Sequence, residues 1–308
     1  ASTIDGDLTL TSGHASGITD SGTVTVGGNL AATTDANSGV INLGTLAVDG
    51  TVALTTNGSG NATVVNDAGL TFAASTVGGN INATATTGNM ADSGALTITG
   101  TTTLTTSANN AYITLDNTTN ALTGAVSLNT TGSAGGTSGD ARLDNGTTAL
   151  ILATSSVGGD LTVRSGNTSG ITDSGTVTVG RALFATTDAN NGVINLDQLA
   201  VDMGINLNTH GSGNATAVNN AGFLFGGSGS TVGGNLSVTA TTGNMTDNNS
   251  GSVTITGTSS FTTSANNATI TLDDTDHSFA GAVTITTNDD SGTDADVTID
   301  GGTTAFIL

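Results

Sequence analysis

The sequence contains no cysteine, proline, tryptophan, lysine or glutamate. Without cysteine there is no disulfide framework and no thiolate for metal binding or nucleophilic attack. A chain that must cross an oxidising compartment without stray disulfides has that composition. Without glutamate and lysine the chain lacks the usual exposed helix formers, and Thr, Val, Ile, Asn, Asp and Gly take their place. That is the chemistry of short strands joined by tight turns, so an all-β fold with almost no helix is expected. Aromatic residues are 3% of the chain and Tyr112 is the one tyrosine, so no large aromatic core and no aromatic sugar platform is available. The only cations besides histidine are Arg142, Arg164 and Arg181, set against a net charge of −21. Such a chain repels phosphate along its length, which argues against nucleic acid and anionic membrane surfaces as partners. No apolar run approaches the length that spans a bilayer, so no membrane insertion is expected. Ala1 opens no signal peptide; the start reads as a processed end or a fragment boundary.

Apolar residues nevertheless reach 35% and are spread evenly, which suits a thin core a few side chains wide. A Gly-, Ser- and Asn-rich acidic chain can also be disordered, but the regular return of Val, Leu and Ile argues against that. The regularity is internal repetition. SGITDSGTVTVG at Ser16 returns letter for letter at Ser169, and GSGNAT at Gly58 returns at Gly211. TATTGNM at Thr84 returns at Thr239, and TTSANNA at Thr105 at Thr262, with small insertions near Gly226 and Asn248. The chain therefore divides into two copies of a long repeat of roughly 153 residues, 1–152 and 153–308. They are expected to form one continuous rod, continued beyond both ends as a covalent array or a stacked filament of copies.

A finer period lies inside each copy. Turns before alternating strands begin at Gly6, Gly28, Gly50, Gly79, Gly100, Gly124 and Gly159, spaced by 22, 22, 29, 21, 24 and 35 residues. In the second copy they begin at Gly159, Arg181, Met203, Gly234, Gly257 and Gly281. After each turn apolar residues alternate, as in Leu8 and Leu10 or Leu161 and Val163, the mark of a strand with one buried face. Each unit reads as one coil of about 22 residues and three short strands, too small to bury its own apolar face but stable when stacked. The fold class expected is an elongated parallel β-solenoid of about a dozen such coils, with Leu8, Leu30, Val52 and Ile81 in one column. The long coils should extrude their extra residues as loops, at 57–61 and 133–140, the first places to look for a recognition surface. An array of β-sandwich modules is the alternative, against which stands the absence of Trp and Pro.

The runs TVTVGGNL, STVGGNI, STVGGNL and SSVGGDL, with their x-G-x-L-x-L-T strands, resemble the bacterial β-solenoids of filamentous-haemagglutinin and autotransporter adhesins and the giant β-strand-repeat surface proteins. The resemblance covers nearly the whole chain. It implies export through the bacterial envelope, an extracellular or cell-surface location, and a structural or adhesive role. It implies no catalytic residue; the partners expected are copies of the chain or further repeats, from the unpaired strands at its ends, and glycans or proteins of a neighbouring surface.

Residues suited to chemistry are sparse, and no catalytic, cofactor-binding or metal site is assigned. His14, His210 and His277 lie far apart and align with different residues in the other copy, so they read as solvated turn residues; Arg181, in place of Gly28, reads as surface drift. Asp273, Asp274 and Asp276, then Asp289, Asp290, Asp294, Asp296 and Asp300, fit neither calcium-loop pattern, which leaves only weak calcium binding. Thr-x-Thr pairs at Thr9, Thr23, Thr97, Thr254 and Thr284 offer an ice-binding alternative, and β-helices that process polysaccharides a remoter one. The primary reading is a non-enzymatic extracellular rod.

Overall fold

The computed structural model describes residues 1–132, 139–227, 229–248, 251–288 and 295–308, which form strands and turns and no helix. The chain separates into two compact units, Ala1–Gly159 and Asp160–Leu308. Each is a parallel β-solenoid.

In unit 1 one sheet stacks the strands Leu8–Ser12, Leu30–Asn37 and Thr51–Asn57 in parallel. The opposite sheet stacks Ile41–Val48, Ala62–Asn66, Ile81–Ala85, Thr102–Asn109 and Val126–Thr131. Strand Leu30–Asn37 shows why these segments settle there. Leu30, Ala32 and Thr34 point into the core, Ala31, Thr33 and Asp35 point out, and the β-branched residues suit the pleat. Hydrogen-bonded partners in adjoining coils commonly lie 21 or 22 residues apart, as in Asn29–Thr51 and Asn80–Thr101, which is the coil length expected.

The core columns differ from expectation at one place. Leu8, Leu30 and Val52 are stacked, but the next residue in their column is Phe72. Ile81 stands in the opposite sheet, between Ala62 and Thr102. The reason lies in the corners. Gly50 donates its N–H to Gly28 and Gly28 to Gly6, whereas Gly100 donates to Gly79 and Gly79 to Gly60. The Gly-Gly-Asn turn therefore serves both corners of the coil, and the interval from Gly50 to Gly79 crosses from one corner to the other. No long loop is needed to absorb it. Turn 57–61 is accordingly an ordinary corner, with Asn57 O accepting from Ser38 N at 2.9 Å and Asn61 Oδ1 from Asn80 N at 2.8 Å. The second interval, Gly124 to Gly159, does contain a longer coil, since Leu128 N reaches Ser155 Oγ 27 residues on. The 133–140 segment assigned to it lies, for 133–138, outside the described residues.

Corner glycines are needed where backbones touch. A Cβ on Gly78 would stand 1.8 Å from Gly58 O, and one on Gly17, at φ +69°, 1.7 Å from Val40 O. Neither position has room for a side chain.

Unit 2 repeats the scheme with a different filling. Leu161–Ser165, Leu183–Asn190 and Gly204–His210 stack in one sheet. Ile194–Val201, Ala215–Asn219, Leu236–Ala240, Ser259–Asn266 and Val283–Asn288 stack in the other. Phe223, Phe225, Phe261 and Phe279 form a buried aromatic file, with centroid separations of 4.8, 6.2 and 5.5 Å. Unit 1 has Leu70, Phe72, Leu104 and Leu122 at the matching positions.

Candidate functional site

Polar side chains in both units work mainly on neighbouring backbone. At the corners, buried Thr34, Thr56, Thr187 and Thr209 donate to the carbonyls of Gly39, Gly60, Gly192 and Gly213 at 2.7–2.9 Å. Buried Asn66 accepts from Val48 N at 2.8 Å and donates to Val48 O at 3.0 Å, and Asn219 repeats this with Val201. These bonds satisfy backbone groups that interruptions in the strands would leave unpaired.

Aspartates bracket the turns of the next coil. Asp92 accepts from the N–H groups of Asp116 and Asn117 and, at 2.7 Å, from the Asn120 amide. Asp173 accepts from Asp197 N and Gln198 N at 3.2 and 2.9 Å. Burial raises both carboxyls above their ordinary value; the charges of Asp116 and Asp197 add to this, and the hydrogen bonds oppose it.

His277 departs from its expected place in a solvated turn. It is 2% exposed, with Nε2 2.7 Å from Asp247 Oδ2 and Nδ1 accepting from Val253 N at 3.0 Å. The accepting Nδ1 places the ring proton on Nε2, which donates to Asp247. Asn120, its counterpart in unit 1, spans the same gap: its Oδ1 accepts from Leu96 N and its Nδ2 donates to Asp92. Imidazole and carboxamide each supply one acceptor and one donor at the right separation, so the histidine is a structural replacement. His14 is exposed and its Nδ1 accepts from Ser16 N, a local turn contact.

Each arginine is paired with an aspartate of an adjoining coil: Arg142 with Asp116, Arg181 with Asp160, and Arg164 with Asp188. The last pair is a fork, with Nε on Oδ2 and Nη2 on Oδ1. Arg164, Thr186 and Asn208 are successive outward residues across three strands. With Asp188 and the exposed His210 they line an open groove of about 430 Å³. Unit 1 carries Thr11, Thr33, Thr55, Asp35 and Asn57 at these places. Its outward column there runs Thr11, Thr33, Thr55, Thr76 and Thr97. The flanking column, Thr9, Ala31 and Ala53, carries a single threonine.

Asp273, Asp274 and Asp276 sit about a turn in which Asp276 N donates to Asp274 Oδ1. Asp289, Asp290 and Asp294 lie outside the described residues, and among those described no three metal-ligating side chains converge. No described helix could cross a membrane.

Among the described residues the buried hydroxyls of Thr102 and Ser259 lack a partner, and Asn206 goes further. It is fully buried, neither Oδ1 nor Nδ2 has a partner among the described residues, and it lies beneath Gly227, where a Cβ would stand 3.1 Å from its Nδ2.

The same motif occupies alternate sides of each unit. In unit 1, ITDSGTVTV from Ile18 pairs with strand Ile41–Val48, while MADSGALTI from Met90 pairs with Leu70–Phe72 in the other sheet. In unit 2, the version from Ile171 pairs with Ile194–Val201 and that from Met245 with Phe223–Phe225, again in opposite sheets. A sequence repeat shorter than 153 residues must underlie this, and it is found. Residues 59–129, 138–210 and 212–286 match a family described as repeats of unknown function (DUF5649). The chain belongs to that repeat family. No curated protein and no solved structure matches it. One family repeat fills about three and a half coils, so its successor begins half a coil later with its strands exchanged between the sheets. The 153-residue period seen in the sequence is two family repeats, after which each motif returns to its own sheet.

Proposed function

We propose that this chain is a segment of an extracellular structural and adhesive rod of a bacterium, a surface fibre, stalk or matrix protein without catalysis. The observation that carries the reading is what the sequence is spent on: coil after coil, corner threonines close their own turns, bracketing aspartates hold the next coil's backbone and buried asparagines that of the preceding one. Such a scaffold lengthens by adding copies and offers long lateral faces, the property an extended surface protein needs. The resemblance to haemagglutinin-type and β-strand-repeat surface proteins points the same way. The partners proposed are further repeats of the same chain or copies placed end to end, and glycans or proteins of an apposed surface. Outward carboxylates give it at most loose calcium binding. The ice-binding alternative draws on the one five-threonine column of unit 1, whose flanking column is mostly alanine; a two-dimensional lattice of hydroxyls is not offered there.

The test is made on native cells. An antibody to the chain should label intact cells, protease shaving should remove the signal, and deletion of the gene should reduce cell–cell or cell–surface attachment. Signal confined to the cytoplasm, or attachment unchanged by deletion, would overturn the proposal.

A further inference from the structure

The two units provide an internal comparison, since motif for motif they share one ancestor. On the lateral sheet carrying Leu161–Ser165, Leu183–Asn190 and Gly204–His210, unit 2 has changed where unit 1 is plain. Thr11 is matched by Arg164, Thr55 by Asn208, and Asn57 by His210; Asp35 and Asp188 are the same. All four altered or retained residues of unit 2 line the same groove. On the opposite lateral face one column keeps its small polar character, while beside it Asp197 and Gln198 stand where unit 1 has Gly44 and Thr45. Thr19, Asn42, Thr63, Asn82, Thr103 and Ser127 form that column in unit 1. Unit 2 has Thr172, Asn195, Thr216, Ser237, Ser260 and Thr284. Divergence toward longer, planar hydrogen-bonding groups thus occurs on both faces, and on the sheet of Leu161–Ser165 it gathers three substitutions around a groove of about 430 Å³, against about 200 Å³ beside Gln198.

We propose that this groove is a binding site for a neutral oligosaccharide. Its volume, about 430 Å³, falls in the range of small-molecule sites. Its floor is a strand surface, in which Thr187 and Thr209 are buried and fixed to the corner carbonyls, so it is rigid before any ligand arrives. The walls present planar groups of both polarities: guanidinium, carboxylate, carboxamide and imidazole. Forked donors and acceptors of this kind meet vicinal hydroxyls in pairs. Charge decides against other ligands. Arg164 is neutralised by Asp188, so a polyanion would enter a nearly neutral groove on a chain of net charge −21. A basic peptide, drawn to the acidic surface at large, would find the groove's carboxylate, Asp188, already held by Arg164. A neutral polyhydroxyl chain suffers neither penalty.

The inference rests on the adhesive reading for its setting, and the experiment separates the two. The full chain is titrated with neutral hexasaccharides of β-1,4-glucan, β-1,3-glucan, α-1,4-glucan and chitin, by calorimetry and by NMR shifts, beside polygalacturonate and a polylysine peptide. The triple variant R164T/N208T/H210N restores the unit 1 residues, and T216A alters the opposite face. At least one neutral oligomer should bind, at least tenfold more weakly to the triple variant and unchanged to T216A, with both variants keeping the wild-type strand circular dichroism and melting curve. Absence of binding by every neutral oligomer, equal binding by the triple variant, or preference for polygalacturonate or polylysine would overturn the site. Cells carrying the triple variant that still attach would leave the adhesive reading standing without this groove. Intact sugar binding by a chain that never reaches the surface would sink the adhesive reading alone.

Discussion

Asn206 and His277 show opposite outcomes of placing a polar side chain inside a solenoid. His277 finds a donor and an acceptor already arranged for Asn120 in the other unit, so His277→Asn should change stability by less than about 1 kcal/mol. His277→Ala removes the partner of Val253 N and one partner of Asp247, and should cost about 2–3 kcal/mol in denaturant unfolding; a neutral outcome would show that water replaces the ring. Asn206, buried with no partner among the described residues, is desolvated without a compensating bond. Asn206→Ala, the residue of unit 1 at Ala53, is expected to raise stability by about 1 kcal/mol, and a lowered midpoint would reveal a bond made by its amide. Folding raises the carboxyls of Asp92 and Asp173, so the folded chain holds their protons more tightly than the unfolded chain does. Stability from this source is complete below the ordinary carboxylate range and is lost as pH rises through the raised values. The melting temperature should therefore fall as pH rises through that range, and less steeply in the double variant D92N/D173N; identical slopes would remove these two groups from the account. None of this was legible from spacing. His277 read as a turn residue because burial at a corner depends on which coil covers it.

For the strands, alternation of apolar residues was enough to give strand type, parallel stacking and coil length. It was not enough to give sheet membership. Val52 and Ile81 each follow a Gly-containing turn and begin an alternating strand, and nothing local distinguishes one corner of a two-sheeted coil from the other. The hydrogen bonds do, by carrying Gly50 to Gly28 and Gly79 to Gly60. In this cysteine-free chain the register can be tested directly. A short thiol crosslinker should join Thr55→Cys to Thr76→Cys, which are direct partners, and fail to join Thr55→Cys to Asn82→Cys. The reverse result would restore the column through Ile81. The groove was missed for a related reason: Arg164, Asp188 and His210 are scattered in sequence, and only the stacking of strands places them together. Comparison of Thr11 with Arg164 and Asn57 with His210 held the signal, but Gly28 against Arg181 offered the same kind of substitution, and spacing does not tell the two apart.

Across the whole molecule, acidity and repetition set the behaviour. With a net charge of −21 and three arginines, like charges repel in the folded chain, so added sodium chloride should raise the melting temperature up to a few hundred millimolar; a fall would mean that the three Arg–Asp pairs matter more than the excess charge. The exchange of motifs between sheets has a further consequence for how such a gene can change length. Unequal recombination that inserts or removes one family repeat would hand each following motif to the other sheet of its solenoid, whereas a change by two would return it to the sheet it came from. A motif that has acquired side chains for binding on one sheet therefore keeps that sheet only when length changes by even numbers.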